Sequence, residues 1–146
     1  IINNVTWQKT NPPPNLACRC FTHSTETILW AKKNDKKSRH FFDYQKMKEM
    51  NGEKQMKDVW TGALTKPSEK TEGKHPTQKP EYLLEKIVLA STEEGQVILD
   101  PFCGSGTTGV EAVRFGRKFI GIDVSEEYLE ISKRRLEKVY GDAKEY

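Results

Sequence analysis

An α/β fold is predicted for this chain of 146 residues by a single stretch, residues 97–123. It opens with Val97, Ile98 and Leu99, a short apolar run that ends on the carboxylate of Asp100. Gly104, Ser105 and Gly106 follow as a turn too tight for side chains, and residues 107–115 can form a helix that Gly116 stops. Lys118-Phe-Ile-Gly-Ile-Asp123 is a second apolar run, ending on a second carboxylate. Strand, glycine turn, helix and strand make a βαβ unit, and such units bind nucleotides at the carboxyl ends of their strands. The continuous run at Val97 also predicts a strand buried on both faces.

The residues then narrow the nucleotide. Gly104, Gly106 and Gly109 satisfy G-x-G-x-x-G, and Asp123 follows at about the distance of a ribose contact. That pattern alone is a weak sign of a dinucleotide site. Asp100 argues against a dinucleotide, because a carboxylate in the ligand crevice repels a pyrophosphate. It would attract the cationic amino-acid end of S-adenosylmethionine, whose ribose hydroxyls suit Asp123. The plain alternative is that Asp100 only caps the turn or the helix.

Asp100-Pro-Phe-Cys-Gly-Ser-Gly-Thr-Thr108 resembles the cofactor loop of the amino-directed DNA methyltransferases, which methylate the exocyclic nitrogen of adenine or cytosine. His75-Pro-Thr-Gln-Lys-Pro80 is similar to a second signature of that family. In this order they resemble the permuted subgroup, in which the cofactor half follows the catalytic half. The resemblance covers roughly residues 4–140. It implies a Rossmann-like methyltransferase sandwich, incomplete in this chain. It implies cofactor contacts at His75, Thr77, Gln78 and Lys79, then at Asp100, Pro101, Phe102 and Cys103. Gly104, Ser105, Gly106, Thr107 and Thr108 continue the set, and Asp123 with Val124 completes it.

Composition sets the bounds. Only 35% of residues are hydrophobic and 31% are charged, which is polar for a complete enzyme. With a first residue that is not methionine, this leads us to expect a fragment. The formal charge of +3 is too mild to establish nucleic-acid binding. Cys18, Cys20 and Cys103 are odd in number and lack zinc spacing, so no metal site is expected and a reducing cytoplasm is favoured. No apolar run approaches membrane-spanning length.

Taken in order, residues 4–8 read as a strand with Val5 and Trp7 on one face, and residues 27–31 as a second with Ile28 and Trp30 on one face. Asn11-Pro-Pro-Pro-Asn15 interrupts them, because three prolines remove three donors. A wide hairpin results, whose loop carries Lys9, Cys18, Arg19 and His23. In the family that this chain resembles, a similar hairpin lines the target-base pocket. His23 is as readily a solvent-facing loop residue as a DNA contact, and Trp7 and Trp30 read first as core.

Residues 32–57 hold nine Lys or Arg against four Asp or Glu, with Phe41, Phe42 and Tyr44 between them. Such a segment buries little and is expected to be partly disordered without a ligand. Relatives place target recognition here. Lys9, Arg19, Lys32, Lys33, Lys36, Lys37 and Arg39 are therefore the expected contacts to duplex DNA. Residues 54–60 return the chain to the sheet, and residues 65–74 form a polar linker.

Pro80 suits the first position of a helix whose Leu83, Leu84, Ile87 and Val88 share a face. Ser125 caps the last helix, with Leu129, Ser132, Leu136 and Val139 as its inward stripe. Lys133, Arg134, Arg135 and Lys138 read as helix electrostatics, and fraying is expected from Gly141. The organisation expected is a catalytic-region hairpin over 1–33, a recognition segment and linker over 34–74, a cofactor region over 75–141 and a tail over 142–146.

One signature is absent. The family's tetrad, D-P-P-Y or S-P-P-Y, holds the amine and stacks the base, and it occurs nowhere in the sequence. Asn11-Pro-Pro-Pro14 lacks the aromatic ring. No catalytic residue is therefore expected within the chain. The expected function is the cofactor and recognition portion of a site-specific adenine-N6 enzyme, with an upstream tetrad segment as partner. Cytosine N4 is the second choice, and a non-catalytic nucleotide-binding module is the alternative from another class. A homodimer is left open.

Overall fold

A computed structural model of the chain describes residues 1–144. They form two compact units, Ile1–His40 with Lys48–Leu64, and Phe41–Met47 with Thr65 onward.

The first unit is a three-stranded sheet in the order β2-β1-β3. Strand β1 (Asn3–Lys9) pairs antiparallel with β2 (Thr25–Trp30), Asn3 opposite Trp30 and Gln8 opposite Thr25. This is the expected hairpin. Strand β3 (Val59–Gly62) lies parallel to β1 on its other edge, Thr6 opposite Val59, so residues 54–60 do return the chain to the sheet. Val5 and Trp7 are buried, and Ile28 and Trp30 lie on the more covered face of β2 while Leu29 is exposed.

Residues 32–57 include one regular element. Helix α1 (Tyr44–Met50) forms within them. Asp43 starts it by accepting the Lys46 amide at 2.9 Å. Met47 is buried, and Met50, one turn on, is half-buried. Two methionines three residues apart give an otherwise polar helix one apolar edge to bury.

The second unit carries the βαβ element. Strands β4 (Val97–Asp100) and β5 (Lys118–Gly121) pair in parallel, Val97 opposite Lys118 and Asp100 opposite Gly121. Helix α3 (Thr107–Arg114) joins them. A Cβ at Gly109 would meet the Phe119 ring at 2.5 Å, so this glycine sets how closely α3 lies on β5. Helices α2 (Glu81–Ser91) and α4 (Glu126–Lys144) flank α3.

The structure corrects several expectations. The sheet β4-β5 is covered on one face only. Ile98, Asp100, Phe119 and Gly121 are half-buried, whereas Val97, Leu99, Lys118 and Ile120 are exposed. The apolar run at Val97 is therefore not buried on both faces here, because α3 packs over one face alone. Pro80 is the N-cap of α2 rather than its first helical residue, with φ −70 and ψ 146. In its place Glu69 reaches over from a 3-10 turn (Pro67–Lys70) and accepts the Glu81 amide at 2.8 Å. Residues 65–74 are thus a capping element for α2 and more than a linker.

Ser125 caps α4 as expected, its Oγ accepting the Tyr128 amide at 3.3 Å. The inward stripe is rotated from the expected one. Ile131, Ser132 and Arg135 are buried, and Leu129, Leu136 and Val139 only half so. The helix runs past Gly141 to Lys144, and residues 145 and 146 of the expected tail lie outside the described residues. Among the described residues no helix is long and apolar enough to cross a membrane.

Candidate functional site

The two acids lie at the carboxyl ends of neighbouring strands, Asp100 as the last residue of β4 and Asp123 just beyond β5. Asp100 closes β4, one Oδ accepting the Phe102 amide at 3.1 Å and the other the Thr108 hydroxyl at 2.7 Å. The capping role weighed for Asp100 is therefore real. A carboxylate offers about four lone-pair positions, so two remain for a ligand.

Asp123 lies two residues beyond β5 and reaches back to the loop. Its Oδ2 accepts the Gly104 amide at 2.9 Å and its Oδ1 the Ser125 amide at 2.9 Å. These backbone donors, Ser125 first and Gly104 next, hold its carboxyl below the usual range. It stays ionised at neutral pH.

Between the acids runs the glycine turn. Gly106 has φ 74, in the left-handed region, and forms the N-cap of α3. A Cβ there would fall 2.1 Å from Ser132 Oγ on α4. Backbone conformation and space both demand glycine. Residues 103–107 are buried. Cys103 is packed inside, where burial first and then Asp100 and Asp123 push its thiol up. It supports the turn rather than lining it.

Phe102 is 85% exposed, and Val124 is fully exposed. These are apolar side chains left bare within two residues of Asp100 and Asp123 in the sequence, and a flat apolar ring could lie on either. Pro101 is exposed as well.

The second signature approaches the same turn. The His75 ring lies 4.1 Å from that of Tyr128, and its Nε2 would be 2.9 Å from a Cβ at Gly104. Its Nδ1 accepts the Thr77 amide at 3.2 Å, which leaves the proton on Nε2. Burial lowers the His75 pKa, Asp123 opposes that, and Lys79 adds to it. The ring is thus neutral at pH 7.

Thr77 is exposed, and Lys79 is half-buried with Nζ 3.3 Å from the Thr77 carbonyl. Gln78 differs from expectation. It is buried, and its Nε2 donates to the Glu69 carbonyl at 2.7 Å, which ties the 3-10 turn to the loop. Its amide is not presented outward.

The expected DNA contacts separate in the first unit. Arg19, Lys32, Lys33, Lys36, Lys37 and Arg39 are exposed. The Lys-rich loop is held by Asp35, which accepts the Lys37 amide at 2.9 Å, and by Lys32, whose Nζ donates to the Ser38 carbonyl at 2.7 Å. Lys32 is thus engaged within the loop, while Lys33, Lys36, Lys37 and Arg39 are exposed on it. Lys9 does not join them. Its side chain is 9% exposed and pairs with Glu26 at 2.8 Å. Asn11 is also engaged, its Oδ1 accepting the Leu64 amide at 2.8 Å.

The family profile described as DNA methylase, of the N6 and N4 type, matches residues 1–134. The chain belongs to that DNA methylase family.

The chain is 74% identical over 138 residues to the type II methyltransferase M2.LlaDCHI of Lactococcus lactis subsp. cremoris, covering 94% of this chain and 51% of that protein. It is 73% identical over 137 residues to M2.DpnII of Streptococcus pneumoniae, with the same coverage. The chain spans about half the length of the curated relatives it matches. Among solved structures it superposes on the M1.HpyAVI–SAM complex with a TM-score of 0.70 at 34% identity, covering 93% of this chain and 61% of the other. The cytosine-N4-specific PvuII DNA methyltransferase gives a TM-score of 0.75 at 21% identity, which speaks for the fold alone. The Rossmann-like methyltransferase fold is thereby shown.

Some residues behind the glycine turn escape a reading of the sequence. Arg135 is 5% exposed and donates into the glycine turn. Glu81 receives both Arg135 and Arg114 at 3.0 Å. Glu111 is buried against Arg114. The available signal was position: Arg135 lies three residues after Ser132 and four after Ile131, on the buried face of α4.

Proposed function

We propose that this chain supplies the cofactor-binding and target-recognition portion of a site-specific DNA methyltransferase, which takes its methyl group from S-adenosylmethionine and delivers it to adenine N6 in duplex DNA. The observation that carries the reading is the pair of carboxylates, Asp100 and Asp123, fixed on either side of one glycine turn by bonds at 2.7 Å and 2.9 Å.

The donor set fits that cofactor. Asp100 retains acceptor capacity for an ammonium, and Asp123, ionised, suits the paired hydroxyls of a ribose. Phe102 and Val124 offer bare apolar surface for the adenine ring. The Thr77 hydroxyl and the Lys79 ammonium are donors that would suit the carboxylate of the cofactor. When bound, S-adenosylmethionine supplies a methyl group on a positively charged sulfur. The residues here bind and orient it. His75 and Gln78 shape the wall behind, His75 through its contact with Tyr128 and Gln78 through Glu69.

Recognition of DNA falls to the exposed cations. Lys33, Lys36, Lys37 and Arg39 stand on one exposed loop, with Lys32 at its start and Arg19 on the hairpin loop. They suit phosphate oxygens, which position a protein without specifying sequence. The target amine lies inside the duplex, so the base must be extruded. The groups that hold it are supplied from outside residues 1–146, because no tetrad occurs within them and Asn11 is committed to Leu64.

The test is transfer of labelled methyl from S-adenosylmethionine to duplex DNA by the natural full-length protein, with N6-methyladenine and N4-methylcytosine separated. Label in N6-methyladenine supports the proposal. Label in N4-methylcytosine replaces adenine by cytosine, and no label in either base rejects the activity.

A further inference from the structure

A buried guanidinium is costly unless its donors are matched. Arg135 on α4 is matched on both sides. Its Nη1 donates to the Ser105 carbonyl at 2.8 Å, to Ser105 Oγ at 3.3 Å and to Thr107 Oγ1 at 2.9 Å. Its Nη2 donates to Glu81 Oε1 at 3.0 Å, in the first turn of α2. Thr107 Oγ1 passes the connection on by donating to the Lys79 carbonyl at 3.2 Å. One side chain therefore fastens the glycine turn to the entry of α2, and through Thr107 to the 75–80 loop.

We infer that Arg135 is a positioning residue of the cofactor site: it holds the 104–107 turn and the 75–80 loop in register from behind, without touching the ligand. The inference rests on the cofactor reading above. Ser132, one turn earlier on the same face, stands against Gly106, so α4 backs the turn by shape and by hydrogen bonds together. Lysine cannot reproduce this. Its single ammonium lacks the fork that reaches Ser105, Thr107 and Glu81 at once. Ser105 and Thr107 flank the N-cap of α3, so a loosened turn also loosens the amides of Gly104 and Gly106. Those amides donate to Asp123 Oδ2 at 2.9 Å and to the Cys103 carbonyl at 2.8 Å.

The natural full-length protein carrying Arg135→Met, and separately Glu81→Gln, decides the matter. Hydrogen exchange at the Gly104 and Gly106 amides is measured without ligand, and S-adenosylmethionine binding by calorimetry. In Arg135→Met the two amides exchange at least about tenfold faster. The Kd and the KM for S-adenosylmethionine rise by about tenfold or more, the loss of one charge-assisted contact network. The KM for DNA stays within about twofold, whereas a general loss of folded protein would lower kcat and leave both KM values unchanged. Glu81→Gln gives smaller changes in the same direction, and it decides alone if Arg135→Met does not fold. Unchanged exchange at the turn, or a Kd within about twofold of wild type in a folded variant, overturns the inference. If wild type binds no S-adenosylmethionine, the cofactor reading fails. Exchange at the turn, measured without ligand, then still decides whether Arg135 holds it.

Discussion

Asp123 Oδ2 accepts the amide of Gly104 at 2.9 Å, across 19 residues of sequence. The contact ties the end of the second strand to the turn after the first. A ligand that engages the Asp123 carboxylate therefore feels the position of the glycine turn, and the reverse holds as well.

This gives the first prediction. Asp100→Ala weakens S-adenosylmethionine binding by about ten- to a hundred-fold, the usual worth of one charge-assisted hydrogen bond. Asp123→Ala weakens it too and also speeds exchange of the Gly104 amide, because that amide loses its acceptor. Calorimetry and hydrogen exchange on folded variants read the two effects separately. Binding unchanged in both variants would refute the assignment of the acids.

Glu111 gives a pH dependence. Burial pushes its carboxyl up to about 7, the Arg114 guanidinium pulls it down, and Glu81 and Glu85 add to the rise. The folded chain therefore holds a proton that the unfolded chain releases near pH 4.5. The contribution of Glu111 to stability is complete below that pH and declines as pH rises to about 7, with no further change above it. Urea unfolding of wild type and Glu111→Gln across pH 4.5–8 measures this. The stability of wild type relative to the variant should fall up to about pH 7 and then level off. A difference that rises with pH would contradict it.

The exposed cations predict a salt dependence. Each phosphate contact contributes a slope of about 0.9 in log affinity against log salt on duplex DNA. Replacing Lys33, Lys36, Lys37 and Arg39 together by Ala should weaken DNA binding and shallow that slope, whereas Lys9→Ala, which breaks the pair with Glu26, should leave the slope unchanged. Fluorescence anisotropy at several salt concentrations reads both. Equal slopes in wild type and the fourfold variant would make this turn a bystander.

The bare sheet face predicts self-association. Val97, Leu99 and Ile120 are each more than half exposed. Residues 1–146 alone should bind a hydrophobic dye and sediment above monomer mass, and Ile120→Lys should lessen both. A monodisperse, dye-negative wild-type chain would count against it.

The βαβ unit was legible because its rules are local. Two apolar runs ending on acids, with Gly104, Gly106 and Gly109 between them, specify strand, turn and helix without reference to distant residues. The β1–β2 hairpin was legible from alternation, with Val5 and Trp7 turned inward. Burial of a charge was not legible in the same way. Arg135 reads as a solvated cation until Ser105, Thr107 and Glu81 are brought to it from 28 to 54 residues away. Gln78 reads as a ligand donor until Glu69 claims its amide. The outer face of β4 misled because an apolar run states that a strand can be covered twice, not that these residues supply both covers.

The most direct measurement of the central claim is a competition titration of S-adenosylmethionine and NAD into the natural protein, repeated with Asp100→Asn. The account predicts that S-adenosylmethionine binds more tightly than NAD, and that neutralising Asp100 narrows the gap by weakening the first. Tighter binding of NAD, or a preference that Asp100→Asn leaves intact, would contradict it.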